Sequence, residues 1–131
     1  MLVDDEPDIL DMLTDVLRSE GYDPVPFGRA NDALKYCQDH VPAVVVTDLL
    51  MPELDGSAFV NTLRQQCADV PVLMMSASVE ASSMFRQVTQ AFIEKPFDLR
   101  DFLDQVHALA HAHIPSGTIP VKRLSPAYHR K

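Results

Sequence analysis

The sequence has few cysteines and no long apolar segment. Its 131 residues include only two cysteines, Cys37 and Cys67, which are far apart in the sequence and form no CxxC pair. This spacing predicts two reduced, partly buried thiols rather than a disulfide framework. No apolar stretch approaches the roughly 18 residues that a membrane-spanning helix needs. Residues 1–3 also lack the basic region and long apolar run of a signal peptide, so we expect a cytoplasmic protein without membrane association.

Basic residues are scarce, and the charges are unevenly distributed. The chain has 11 Lys and Arg against 19 Asp and Glu, which gives a formal net charge of −8. All the acidic residues fall within residues 1–114, whereas the charged residues of the segment 115–131 are all basic. Because an acidic body repels nucleic acid, we expect no nucleic-acid binding by this domain. With 47% hydrophobic residues, the chain is expected to form one domain over residues 1–114, followed by a linker or disordered tail over residues 115–131.

Continuous apolar runs alternate along the chain with segments whose apolar residues recur at helical spacing. The β-branched run Val44, Val45 and Val46 is typical of a parallel strand that is covered on both faces. Two prolines within residues 23–27 cannot donate ladder hydrogen bonds, so that segment is expected to be an edge strand. The predicted strands cover residues 2–3, 23–27, 43–47, 70–75 and 91–94. The first predicted helix begins at Pro7 and ends just before Gly21. Two more helices are predicted over residues 31–38 and 57–66, and a weaker one over residues 80–88. The last predicted helix begins after Asp98, which can cap it.

Five alternations of strand and helix predict a doubly wound α/β fold. We expect a five-stranded parallel sheet in the flavodoxin-like order 2-1-3-4-5, with helices on both faces. In that order, strands 1 and 3 flank the switch point, and ligands bind there at the carboxyl ends of the strands. Asp4 and Asp5 end the first strand and Asp48 ends the third. The topology therefore brings three carboxylates together at one edge of the sheet.

Four fragments that follow predicted strands carry the candidate site. They are Asp4-Asp5, residues 48–56 with the pattern D-x-x-M-P-x-x-D-G, Ser76-Ala77, and Lys95-Pro96. If these strands are parallel neighbours, three carboxylates, one hydroxyl and one ammonium meet at the same sheet edge. Carboxylate oxygens suit Mg²⁺, and a carboxylate beside a metal ion and a lysine suits phosphoryl transfer.

These fragments, in this order, resemble the receiver domain of two-component response regulators across roughly residues 1–114. The resemblance implies that Asp48 is the phosphoacceptor. It also implies an Mg²⁺ site in which Asp5 is a direct ligand, Asp4 acts mainly through water, and the backbone carbonyl of Leu50 contributes together with Asp48. The phosphodonor implied is a histidine kinase or a phosphotransfer protein. The expected function is therefore a phosphoryl-accepting switch of a two-component phosphorelay.

The resemblance also assigns the residues of the conformational switch. Lys95 matches the lysine that pairs with the acceptor and then with the phosphoryl oxygens, and Ser76 matches the hydroxyl that hydrogen-bonds the phosphoryl group. Phe92 matches the aromatic residue that turns inward, although it lacks the hydroxyl of many relatives. Pro96 is expected to follow a cis peptide bond. The last strand and its flanking helices are the expected surface for partners or for a homodimer.

Some positions depart from the family pattern. The interval from Ser76 to Lys95 is a few residues shorter than usual, and Gln90 stands where glycine is common. Both changes affect the weak helix at 80–88, so the identity of the signalling surface stays open. Leu50 and Ser78 are neither acids nor amides, so they cannot readily orient an attacking water. We therefore expect no enzymatic turnover beyond self-phosphorylation and slow self-dephosphorylation.

Other functions fit the residues less well. An aspartate-nucleophile phosphohydrolase resembles D-x-D at its nucleophile strand, but here Leu50 fills the second position. A pseudo-receiver, which binds partners without being phosphorylated, usually loses the acid pair, the acceptor or the lysine, and this chain keeps all of them. The short interval from Ser76 to Lys95 nevertheless leaves the pseudo-receiver as an alternative. His107 and His111 have a spacing that can bind Zn²⁺, with no third ligand in view. The kinase, the pathway, the oligomeric state, the output segment and the existence of residues before Met1 stay open.

Overall fold

A five-stranded parallel sheet forms the centre of the computed structural model, which describes residues 1–49, 56–77 and 91–112. The strands are β1 (Leu2–Val3), β2 (Pro26–Phe27), β3 (Val45–Asp48), β4 (Val72–Ser76) and β5 (Ala91–Glu94). Their spatial order is β2-β1-β3-β4-β5, and each neighbouring pair is parallel. The predicted sheet and its strand order are confirmed. The predicted helix at 80–88 and the predicted tail at 115–131 lie outside the described residues.

Four helices belong to the described part of the chain: α1 (Pro7–Ser19), α2 (Ala30–Tyr36), α3 (Gly56–Gln66) and α4 (Leu99–Ala112). Proline stands in the first turn of α1, where its missing N–H costs no hydrogen bond, and the chain leaves α1 through Gly21 at φ 93°. The Oδ1 atom of Asp98 accepts a 2.7 Å hydrogen bond from the backbone N–H of Arg100, which caps α4 as predicted.

The sheet is covered by helices on both faces because successive strand residues point to opposite sides. On one face, Val3, Val45, Val72 and Met74 join buried residues of α2 and α3 in one apolar cluster. On the other face, Leu2, Val46, Leu73, Met75 and Ile93 join buried residues of α1 and α4 in a second cluster. The strands β1, β3 and β4 each contribute buried residues to both clusters, which explains why their apolar residues are consecutive rather than alternating.

The edge position of β2 follows from its prolines. The backbone N–H of Leu2 donates to the carbonyl of Val25 at 3.0 Å, and the N–H of Asp4 donates to the carbonyl of Phe27 at 3.1 Å. In both bonds the β2 segment supplies only acceptors, so the N–H that Pro26 lacks is not needed in them. These bonds also fix the backbone at Asp4, the first residue after β1.

Both cysteines lie in the cluster between the sheet, α2 and α3, and both are free thiols. Burial, with the neighbouring Cys67, raises the pKa of the Cys37 thiol to about 11. Both side chains are buried, more fully than the partial burial that the sequence predicts. Within the described ranges, no helix combines the length and the hydropathy that a bilayer crossing requires.

Candidate functional site

The sheet brings the predicted site residues to one edge. Asp4 follows β1 directly, Asp48 is the last residue of β3, Ser76 is the last residue of β4, and Lys95 follows β5. All four therefore lie at carboxyl ends of parallel strands. The backbone N–H of Lys95 donates to the carbonyl of Ser76 at 2.7 Å, which continues the pairing of β4 with β5 to the site.

The ammonium group of Lys95 contacts three carboxylates. Its Nζ atom lies 3.2 Å from Oδ2 of Asp48, 3.3 Å from Oδ2 of Asp4 and 3.5 Å from Oε1 of Glu6. The side chains of Asp4 and Asp48 are 1% and 11% exposed, whereas that of Glu6 is 59% exposed. Two of the three pairs are thus largely screened from solvent, where charge interactions are stronger than at the surface.

Burial and charge shift the pKa values of this cluster in opposing ways. Burial raises the pKa of Asp4, and the negative charge of Asp48 adds to this effect. The 2.9 Å hydrogen bond from the backbone N–H of Glu6 to Oδ1 of Asp4 and the ammonium of Lys95 oppose it without cancelling it. Burial lowers the pKa of Lys95, but Asp48 and Asp4 together outweigh burial and raise it. Lys95 therefore stays charged at neutral pH.

We expect Asp4→Asn to raise the free energy of unfolding at pH 7. Asn keeps an Oδ1 acceptor for the Glu6 N–H and removes a charge that burial disfavours, so the folded state gains stability. Since the folded-state pKa of Asp4 lies above its ordinary value of 3.8, wild-type stability falls as the pH rises from that value through the folded-state pKa. Urea unfolding should show the gain at pH 7 and its loss below pH 3.8.

The matched control for this prediction is Asp8→Asn. Asp8 is an exposed residue in the first turn of α1, where its charge favours the helix by a few tenths of a kcal/mol. This variant should lose a little stability rather than gain it. A loss of stability in Asp4→Asn at pH 7 would show that pairing with Lys95 exceeds the cost of burying Asp4.

A cavity of about 290 Å³ opens beside the cluster. It is lined by Asp5, Glu6, Asp48, Leu49, Ser76, Ala77 and Lys95. One oxygen atom from each of Asp4, Glu6 and Asp48 lies within 4.8 Å of the other two, which is a spacing that can hold a metal ion. Clustered carboxylate oxygens are the ligands that Mg²⁺ prefers, so the residues fit this ion.

The sequence prediction and this geometry differ over two residues. Asp5, the predicted direct metal ligand, is exposed and lines the cavity but does not belong to the group of clustered oxygens. Glu6, which sequence reasoning did not single out, does belong to it. The available signal was its position, directly after the acid pair. Leu50, whose carbonyl is the other predicted ligand, lies outside the described residues.

The remaining predicted residues lie beside the site. Phe92 is partly buried in β5 and packs against the cluster that α2 and α3 cover. The peptide bond between Lys95 and Pro96 is cis. His107 hydrogen-bonds the hydroxyl of Tyr22 through Nδ1, and its Nε2 atom lies 3.7 Å from Oε1 of Glu20. Among the described residues, His107 and His111 join no group with metal-binding spacing.

Comparisons with known proteins agree with this arrangement. The family model for the response regulator receiver domain matches residues 1–107. The DNA-binding response regulator MtrA of Mycolicibacterium smegmatis is 30% identical over 111 residues, which are 82% of this chain and 48% of that protein. The alkaline phosphatase synthesis transcriptional regulatory protein PhoP of Bacillus subtilis is 31% identical over 83% of this chain and 47% of its own length. The chain thus spans about half the length of these curated relatives.

Solved structures of response regulators superpose on this fold. The receiver domain of NtrX from Brucella abortus is 30% identical and superposes with a TM-score of 0.77, covering 84% of this chain and 96% of that chain. The response regulator TrrA from Thermotoga maritima, solved in complex with Mg²⁺-BeF, is 25% identical with a TM-score of 0.76, covering 82% and 95%. The fold, the acidic site at the switch point and the family match lead to one conclusion: the chain belongs to the response regulator receiver domain family.

Proposed function

We propose that this domain is a phosphoryl-accepting switch and that Asp48 is the residue that receives the phosphoryl group. The observation that carries this proposal is the contact of Lys95 Nζ with both Asp48 and Asp4, at the carboxyl ends of β5, β3 and β1. A nucleophilic carboxylate, a second carboxylate and a fixed cation beside an open cavity are the parts that phosphoryl transfer requires.

The transfer step needs no base, because an ionised carboxylate is itself the nucleophile. An Asp48 oxygen attacks the phosphorus of a phosphohistidine or an acyl phosphate. The bond from phosphorus to the donor's nitrogen or oxygen breaks, and a mixed carboxylic–phosphoric anhydride forms on Asp48. Lys95 is close enough to Asp48 to pair with the transferred oxygens.

The site is also proposed to take Mg²⁺. Asp4, Asp5, Asp48 and the carbonyl of Leu50 would hold the ion, as in the family. When bound, Mg²⁺ neutralises the negative charge of the carboxylates and of the transferred phosphoryl group. The Mg²⁺-BeF complex of the TrrA relative and the clustered oxygens of this chain support this part of the proposal.

The conformational response is proposed to involve Ser76 and Phe92. Ser76 is buried at the end of β4 and also borders the cavity, so its hydroxyl is near enough to respond to a new phosphoryl group. Phe92 is partly buried in the adjacent strand, where inward rotation would change the surface of β5 and its flanking helices. That surface is the proposed site for partners or for a homodimer.

The biological context follows the family. The phosphodonor is proposed to be a histidine kinase or a phosphotransfer protein, in the cytoplasm, with no turnover of any other substrate. MtrA is named a DNA-binding response regulator, but this chain covers only about half of MtrA. Residues 1–114 of this chain contain all of its acidic residues, and such a domain repels nucleic acid. We therefore assign no nucleic-acid contact to this domain itself.

The test is the intact mass of the protein after incubation with acetyl phosphate. We expect one phosphoryl adduct that forms with Mg²⁺, fails to form when a chelator removes the ion, and persists after the donor is removed because self-dephosphorylation is slow. A folded protein that acquires no adduct would favour a pseudo-receiver that binds partners without phosphorylation. Rapid loss of the adduct without a phosphatase would contradict the slow self-dephosphorylation.

A further inference from the structure

We infer that Glu6 is a metal-site residue of this domain, and that its carboxylate raises the affinity for a divalent cation. This inference rests on the proposed function, since it concerns the same cation site. It adds a residue that lies outside the proposed ligand set of Asp4, Asp5, Asp48 and the Leu50 carbonyl.

The Glu6 side chain is directed toward the acceptor site rather than toward its own helix. Glu6 precedes α1 and holds its N-cap position, with extended backbone at φ −91° and ψ 110°. An acid at this position commonly turns toward the free N–H groups of the helix. The Glu6 carboxylate makes no such capping bond. Its Oε1 atom instead lies 3.5 Å from Lys95 Nζ, so it faces the acceptor site.

A hydrogen bond attaches the main chain at Glu6 to the site. The backbone N–H of Glu6 donates to Oδ1 of Asp4 at 2.9 Å, which ties the main chain at Glu6 to a buried carboxylate. The other carboxylate oxygen of Asp4, Oδ2, lies 3.3 Å from Lys95 Nζ. The oxygens of Asp4, Glu6 and Asp48 consequently lie within 4.8 Å of one another. Because two oxygens bound to one Mg²⁺ lie only about 3–4 Å apart, the carboxylates would draw closer when the ion binds, and a bridging water would let Glu6 contact the same ion.

The Glu6 carboxylate adds a negative charge to those of Asp4 and Asp48 at the site. Asp4, Glu6 and Asp48 share Lys95 as the cation that each of them contacts. Affinity of oxygen sites for divalent cations increases with the number of ligand charges. Because Glu6 is 59% exposed, solvent screens its charge, and its effect should be moderate rather than decisive.

The experiment is a titration of the full chain with Mg²⁺ at constant ionic strength, followed by the amide chemical shifts of the site. We expect Glu6→Gln to weaken Mg²⁺ binding about threefold, the size of effect typical of an exposed charge contact. The matched control is Glu94→Gln, which removes the same charge from an exposed residue of β5, adjacent to Lys95 in sequence. It should leave the affinity within error of wild type.

The outcomes separate this inference from the proposed function. The acetyl phosphate adduct of the wild-type chain tests the proposed switch by itself, whatever the result for Glu6→Gln. Unaltered Mg²⁺ affinity in Glu6→Gln, or an equal loss in Glu94→Gln, would overturn the role of Glu6 and leave the switch intact. No Mg²⁺ binding by the wild-type chain would instead overturn the cation site itself, and the role of Glu6 with it.

Discussion

We expect Asp48→Asn to reduce the acetyl phosphate adduct to background. The amide nitrogen and oxygen of Asn are far weaker nucleophiles than a carboxylate, and Asn cannot form the mixed anhydride. The substitution keeps the size of a side chain that is 11% exposed and lies at the end of a strand buried on both faces, so the fold should persist. Intact-mass spectrometry with Mg²⁺ present, beside a thermal unfolding curve, measures both properties.

The matched control is Asp104→Asn, an exposed position on α4 away from the cluster. It removes the same charge and should form the adduct as the wild type does. A stable adduct in Asp48→Asn would mean that another residue accepts the phosphoryl group, and peptide mapping would identify it. If Asp48→Asn is folded and unlabelled while Asp104→Asn is labelled, Asp48 is the acceptor.

The sheet could be predicted from sequence because its signals are local and redundant. The β-branched run before Asp48 fits only a covered strand, and the proline of β2 restricts that strand to an edge. Strand order then follows from the rules for parallel connections. Once the order is known, Asp4, Asp48 and Lys95 lie along one edge of the sheet, since each stands at the carboxyl end of its strand.

The boundaries of α2 were not fully predictable, because tertiary burial decides them. The sequence predicts a helix over residues 31–38, whereas α2 runs from Ala30 to Tyr36. Ala30 is fully buried in the cluster with α3, a contact that no local rule contains. After Tyr36 the backbone tightens: the N–H of Gln38 donates to Lys35 and that of Asp39 to Tyr36, both three residues back.

The contact of Glu6 with the site was also beyond sequence reasoning, for a different reason. Sequence places Glu6 just before a helix, where an acid has an ordinary local explanation as a partner of the helix N-terminus. Which way its flexible side chain turns depends on Lys95, which is 89 residues away in sequence. Contacts of this kind are set by the assembled charges, not by local propensity.

We expect Lys95→Met to lower the free energy of unfolding at pH 7 by about 2–3 kcal/mol, because removing one partner leaves buried charges without compensation. Asp4 is 1% exposed and Asp48 is 11% exposed, and both lose the cation that lies 3.2–3.3 Å away. Met fills a similar volume, so a packing defect contributes little. Urea unfolding measures the loss. Lys35→Met, at an exposed position in the last turn of α2, is the matched control and should cost a few tenths of a kcal/mol.

A double-mutant cycle distinguishes charge compensation from a general defect at Lys95. In the wild-type background, Asp48→Asn removes the partner of Lys95 and also relieves repulsion of Asp4, so its effect on stability should be small. In the Lys95→Met background, the same substitution removes an uncompensated charge beside Asp4 and should restore stability. The two effects should differ by at least about 1 kcal/mol, as expected for residues in contact. Equal effects in both backgrounds would mean that Lys95 stabilises the fold through packing, and that its contacts with Asp4 and Asp48 contribute little to the free energy of unfolding.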